Sequence, residues 1–169
     1  DYCVLFGLMS GVGNDLFDPD GMTTRAMLVS ILYRMAGEPD VSELPETPFE
    51  DVGPDAWYAD AVRWAYANEV AAGMDDTHFA PDDRLTRAQL VTMLYRAYGP
   101  EKGVRPRPIG GYTDWNTVPE WAYPAATWAV SMGLLYGTSS SQLSPNAGAN
   151  RAQLAAFMMR TCELQSELD

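Results

Sequence analysis

Phe79-Ala80-Pro81-Asp82-Asp83-Arg84-Leu85-Thr86-Arg87-Ala88-Gln89-Leu90-Val91 is echoed twice in the 169-residue chain. Sixty-two residues upstream it reads Phe17-Asp18-Pro19-Asp20-Gly21-Met22-Thr23-Thr24-Arg25-Ala26-Met27-Leu28-Val29. Sixty-four residues downstream it reads Leu143-Ser144-Pro145-Asn146-Ala147-Gly148-Ala149-Asn150-Arg151-Ala152-Gln153-Leu154-Ala155. Three ungapped copies make the chain a tandem repeat, so its fold is read one unit at a time.

Outward from that block, Leu90, Met93, Leu94 and Ala97 recur at i, i+3, i+4 and i+7, the spacing of one helix face. Leu28, Ile31, Leu32 and Met35 repeat the stripe, as do Leu154, Phe157, Met158 and Thr161. Thr24, Thr86 and Asn150 stand at the N-cap, with Gln89 and Gln153 three residues on as capping-box partners; Met27 breaks the box in the first copy. Upstream, Trp57, Ala61, Trp64 and Ala65 match Trp121, Ala125, Trp128 and Ala129, predicting an earlier helix from about Trp57 to Val70 with these residues and Asn68 on one face. The first copy lacks that half: Tyr2 falls opposite Trp64, so the sequence enters inside the first helix of its first repeat. Gly- and Pro-dense stretches at 37–48 and 99–111 mark exposed connectors.

The expected fold is all-α: three helix-loop-helix repeats, at 1–39, 49–99 and 112–163, in a pseudo-threefold arrangement around a central three-helix bundle. One helix pair cannot bury its apolar face alone, which is why the units pack together. Such an arrangement brings the chain ends together and makes Cys3 and Cys162 candidates for a disulfide. The nine methionines read partly as core filler.

Composition limits function. Eleven basic against 23 acidic residues give a net charge of −12, which argues against nucleic acid or an anionic membrane surface as partner. No apolar run has the length of a membrane span. No zinc-ligand spacing, Walker loop, dinucleotide fingerprint or nucleophile elbow is present, and Asp18-Pro19-Asp20-Gly21 lacks a calcium loop's flanking carboxylates. No cofactor and no catalytic residue is predicted, and an enzyme is the weakest reading. His78, in a polar loop and unrepeated, reads as a surface residue.

Ten of the eleven cations are Arg. Arg25, Arg87 and Arg151 fall at the first helical position, where the macrodipole disfavours a cation by about 0.3–1 kcal/mol. Either a neighbouring carboxylate compensates, or helix N–H groups and guanidinium fork together collect an anion. Arg34, Arg96 and Arg160, nine residues later, face the opposite way in the last turn, where dipole compensation and solvation account for them. Gly11, Gly73 and Gly137 follow the first helix, as positive-φ caps or as points of close backbone approach to a ligand. Trp57 and Trp121 are core anchors or sugar-stacking platforms, core being the default.

Phe49-Glu50-Asp51-Val52, Ala56-Trp57-Tyr58, Gly73, Phe79-Ala80-Pro81 and Leu85-Thr86-Arg87-Ala88-Gln89 resemble the S-layer homology repeat, and the likeness extends over nearly the whole chain. The third copy departs most, with Tyr112-Thr113-Asp114 at its opening, Leu143 for Phe, and Ser139 to Ser141 in its loop. The resemblance implies a noncatalytic module at the bacterial cell surface that binds a pyruvylated secondary cell-wall polysaccharide in grooves between repeats. It further implies that Arg25, Arg87 and Arg151, with Gly11, Gly73 and Gly137, Asp51 and Asp114, and Trp57 and Trp121, contact the sugar. The alternative is a structural, self-associating or protein-binding module of a surface-layer protein.

Overall fold

The computed structural model describes residues 16–99 and 111–166, together with 7 and 9, and side chains as far as 163. Five α-helices account for it: α1 (Arg25–Met35), α2 (Ala59–Ala67), α3 (Arg87–Tyr98), α4 (Tyr123–Ser131) and α5 (Arg151–Ser166). Two 3₁₀ turns, Trp115–Thr117 and Glu120–Ala122, lead into α4. Helices α1, α3 and α5 are the second helices of the three repeats; α2 and α4 are the first helices of repeats two and three. The first helix expected in repeat one, Gly11 and Cys3 lie outside the described residues, and with Cys3 goes the Cys162 pairing.

The repeats interlock. Tyr33 of α1 packs against Trp64 of α2 with ring centroids 5.9 Å apart, and Tyr95 of α3 against Trp128 of α4 at 5.5 Å. The second helix of one repeat therefore pairs with the first helix of the next, and the apolar stripes share one continuous core. Leu28, Leu32, Leu90, Leu94, Leu154 and Met158 are wholly buried in it. Burial of a Leu-sized side chain is worth about 1.5–3 kcal/mol, so these stripes are the main source of stability.

At one end of the bundle the three pre-helical segments meet in a closed ring. Leu85 N donates to Thr23 O at 2.9 Å, Ala149 N to Leu85 O at 2.9 Å, and Thr23 N to Ala149 O at 3.4 Å. The cycle returns on itself after three steps and so marks the pseudo-threefold axis. Around it, each second helix begins on the turn of another repeat. Arg25 N and Ala26 N donate to Asp83 O and Pro81 O, Arg87 N and Ala88 N to Ala147 O and Pro145 O, and Arg151 N and Ala152 N to Gly21 O and Pro19 O. A proline suits the accepting turn because it offers a carbonyl and has no N–H to leave unpaired.

The caps complete the helix starts. Thr86 Oγ1 accepts from Gln89 N while Gln89 Oε1 accepts from Thr86 N; Asn150 and Gln153 make the same reciprocal pair. Thr24 makes only half, accepting from Met27 N at 3.3 Å. The first-turn N–H groups are thus occupied by carbonyls and cap oxygens. Of the two readings of the helix starts, the one in which these N–H groups join the arginines in collecting an anion is therefore excluded.

Candidate functional site

The arginines at the helix starts are the most buried cations among the described residues: Arg25 is 3% exposed, Arg87 4% and Arg151 7%. Each reaches into the loop of another repeat. Arg25 Nε donates to Phe79 O at 2.9 Å and Nη2 to Ala72 O at 2.7 Å, with the guanidinium carbon 4.6 Å from the centre of the Phe79 ring. Arg87 Nε donates to Leu143 O at 3.1 Å and its Nη2 to Tyr136 O. Arg151 Nε donates to Phe17 O at 2.8 Å, and its guanidinium lies 4.8 Å over the Phe17 ring. Where repeat three has Leu143 for Phe, the hydrogen bonds remain and the ring contact is lost. Burial pushes the Arg25 and Arg87 guanidinium groups down from their ordinary range; Asp83 and Asp51 oppose this at Arg25, Tyr112 and Asp114 at Arg87. The groups stay cationic at neutral pH.

The loop that receives each arginine is itself clamped by a carboxylate. Ala80 and Ser144, each just before a proline, have φ of 56° and 55°, a left-handed conformation that costs a non-glycine residue roughly 1–2 kcal/mol. Asp51 offsets the cost by accepting Phe79 N on Oδ1 at 2.8 Å and Ala80 N on Oδ2 at 2.7 Å. Asp114 repeats the pattern with Leu143 N and Ser144 N, both at 2.8 Å. These bonds, with help from Arg87, hold the Asp114 carboxyl below its ordinary value. Asp18, at the same position of repeat one, has φ of 51°.

Gly73 and Gly137 are glycines for steric reasons. A Cβ on Gly73 would run into the carbonyls of Asp75 and His78 and lie 2.6 Å from the Phe49 ring. One on Gly137 would lie 2.5 Å from Ser139 O and Gln142 O and 2.6 Å from the Tyr112 ring. Neither has positive φ, so the cap reading fails; the first helices turn off at Glu69 (φ 57°) and Gly133 (φ 69°) instead.

These parts assemble a cleft of about 230 Å³ that draws on all three repeats. Arg25 comes from the start of α1, Ala72, Gly73 and Met74 from the loop after α2, and Trp121 from the 3₁₀ turn before α4. Gln89, Thr92, Met93 and Arg96 supply the wall from α3. Three of the sequence-predicted residues, Arg25, Gly73 and Trp121, are brought together here. Trp121 is 54% exposed, and Trp57, at the same place in its repeat, 65%. Neither is a core anchor: α2 begins only at Ala59, so Trp57 precedes the helix, and Trp64 and Trp128 take the buried positions. Trp57, Arg87, Gly137, Arg151, Asp51 and Asp114 lie outside this cleft. Arg87 and Gly137 occupy the corresponding places one repeat on.

Sequence reading missed the α3 wall. Gln89, Thr92, Met93 and Arg96 are spaced i, i+3, i+4 and i+7, the core stripe moved by one residue, so a second helical face was the signal that could have found them. Arg96 does sit exposed in the last turn as expected, but it also faces the cleft. His78 is exposed and shares a 3.0 Å contact with Asp75, whose carboxylate raises its pKa above the ordinary histidine value.

Helix-loop-helix units closed into a ring by arginine, carboxylate and backbone clamps define a three-repeat helical module with clefts between its repeats. The chain belongs to the S-layer homology domain family, whose model matches residues 48–91 and 111–155. It is 31% identical over 164 residues to the surface-layer 125 kDa protein of Lysinibacillus sphaericus, covering 93% of this chain and 13% of that protein. It is 36% identical over 101 residues to the surface layer protein of Brevibacillus choshinensis, covering 59% of this chain and 9% of that one. A cellulosome-anchoring protein of Acetivibrio thermocellus is 24% identical over 165 residues, 92% of this chain and 35% of its own length. The module thus spans a small part of each relative, and family and relatives place it at the cell surface.

Proposed function

We propose that this module anchors a larger protein to the bacterial cell surface by binding an anionic, pyruvylated secondary cell-wall polysaccharide in its inter-repeat clefts, without catalysing any reaction. The observation that carries the reading is the Arg25 cleft. A buried guanidinium spends its donors on the neutral carbonyls of Phe79 and Ala72, and forms no ion pair among the described residues. A cation of this kind keeps its charge and, with five N–H groups, has donors left for a ligand carboxylate. Beside it stands the exposed indole of Trp121, a surface on which a sugar ring can stack.

In this reading Arg87 and Arg151 are the repeat-related counterparts of Arg25, and Trp57 of Trp121. Gly73 and Gly137 shape the loops that would meet the ligand, and Gly11 is their counterpart in the sequence of repeat one. Asp51 and Asp114 act through the loops they clamp, because both their oxygens are already taken by backbone N–H groups. The net charge of −12 repels an acidic polymer at long range, so recognition is local and weak single contacts add up along the polymer. The name of the Acetivibrio thermocellus relative, a cellulosome-anchoring protein, fits an anchoring role.

The test is calorimetric titration of the chain with purified wall polysaccharide, native and chemically stripped of pyruvate. Binding to the native polymer alone is the expected result. Equal binding to both overturns the carboxylate reading, and binding to neither, with concentration-dependent oligomers, favours self-assembly.

A further inference from the structure

Nine residues line the Arg25 cleft, and in a chain with 23 carboxylates not one of the nine is acidic. Two are arginines, carried by different helices. Arg25 is held by backbone carbonyls, whereas Arg96 is exposed and makes no hydrogen bond or ion pair among the described residues. Asp83 and Asp51 favour the charge on Arg25 from nearby, but neither faces the cleft. The cleft thus carries a second guanidinium whose donors are not taken up by the described residues.

One repeat on, the arginines are arranged otherwise. Sixty-four residues separate Ala72 from Tyr136 and Arg96 from Arg160. Tyr136 therefore puts a phenol ring where the first cleft has a methyl group. Arg160 folds onto it, with the guanidinium 4.6 Å from the ring centre and Nη1 donating to Leu134 O at 3.3 Å. One contact engages both the Arg160 cation and the Tyr136 ring.

Resting on the anion-binding reading above, we propose that the Arg25 cleft is the open member of this pair, with Arg96 as its second ligand cation, and that the Tyr136–Arg160 stack closes the Arg87 cleft. The two arginines define the ligand class: a sugar whose carboxylate reaches both.

The probe is the methyl glycoside of a 4,6-O-pyruvylated N-acetylhexosamine, monovalent so that each site is counted once, titrated calorimetrically into the full chain. Tyr136→Ala is expected to bind one equivalent more than the unaltered chain, and Tyr136→Phe, which keeps the stack, no more. Arg96→Ala is expected to weaken binding at one existing site at least tenfold, while Arg160→Ala leaves the titration as it was. Tyr136 is 57% exposed and Arg87 uses only its backbone carbonyl, so the substitution leaves the clamp in place. Unchanged stoichiometry in folded Tyr136→Ala overturns the closure, and unchanged affinity in Arg96→Ala overturns the second cation. In either case, binding by the unaltered chain leaves the anchoring function standing. No binding by any variant sinks that function, and this inference with it.

Discussion

The Arg25 cleft and the corresponding place around Arg87 share one scaffold and differ on its surface. In both, an arginine from one repeat grips two carbonyls of the next, a carboxylate clamps the left-handed turn beside it, and a glycine lets an aromatic ring lie against the loop. Yet Ala72 leaves the first open, while Tyr136 draws Arg160 across the second. The difference teaches that repetition here preserves what holds repeats together. A single side chain on the loop decides whether the space between them is available.

The largest effect should therefore be the same in both clefts for stability and different for ligand. Arg25→Met and Arg87→Met each orphan one buried and one partly buried carbonyl, a cost of about 1–3 kcal/mol for the buried group and less for the other. We expect each to lower unfolding free energy by about 3 kcal/mol in urea titrations, and Arg25→Met alone to abolish a glycan site of the unaltered chain. If only one variant loses stability, the common-scaffold account fails.

Gly73→Ala and Gly137→Ala come next. Each new Cβ would meet backbone oxygen and an aromatic ring at distances real Cβ atoms do not adopt, so the loop must move. Overpacking of this kind costs about 1–3 kcal/mol. Thermal unfolding should show comparable losses, with ligand affinity falling for Gly73→Ala because its loop forms a cleft wall.

The helices were legible from the chain alone, because amphipathic spacing and N-caps are local. Leu90, Met93 and Leu94 fell where the stripe put them, and the Thr86–Gln89 box closed as read. The site was legible only in pieces. Arg25, Gly73 and Trp121 were each singled out, but nothing local joins residues that sit 96 positions apart at the extremes. The same non-locality hid what the arginines do: the carbonyls that take up their helix N–H groups belong to another repeat. Trp57 was misplaced for a different reason, since an aromatic two residues ahead of a helix keeps helical spacing to Ala61 without being in the helix.

The carboxylate clamps allow a test by pH. Asp51→Asn leaves one of two backbone N–H groups with a neutral acceptor and the other facing an amide donor, and hydrogen bonds to charged groups contribute about 1.5–3 kcal/mol, so a loss of at least the lower figure is expected. At Asp114, the N–H groups of Leu143 and Ser144 and the Arg87 charge lower the folded-state pKa. Its stabilisation is therefore fully present above the unfolded value, near pH 4, and is lost as pH falls through the lowered folded value. Asp114→Asn should be less stable than the unaltered chain at pH 7, and the gap should close on acidification. A gap independent of pH would show that the carboxylate charge does not hold the turn.

The smallest effect separates cap from cleft. Gln89 and Gln153 close the same capping box, and repeat one shows what Met does in that position: Met27 leaves Thr24 with half the motif. Gln89→Met and Gln153→Met should each cost about 0.5 kcal/mol, the low end for loss of a cap interaction. Only Gln89 also lines the open cleft, where its Nε2 meets Met74 Sδ at 3.6 Å. Equal shifts in urea midpoint, with glycan affinity altered in Gln89→Met alone, would place the functional difference between the repeats on their surface. Equal effects on affinity would mean that the two clefts are alike, against the contrast drawn from Ala72 and Tyr136.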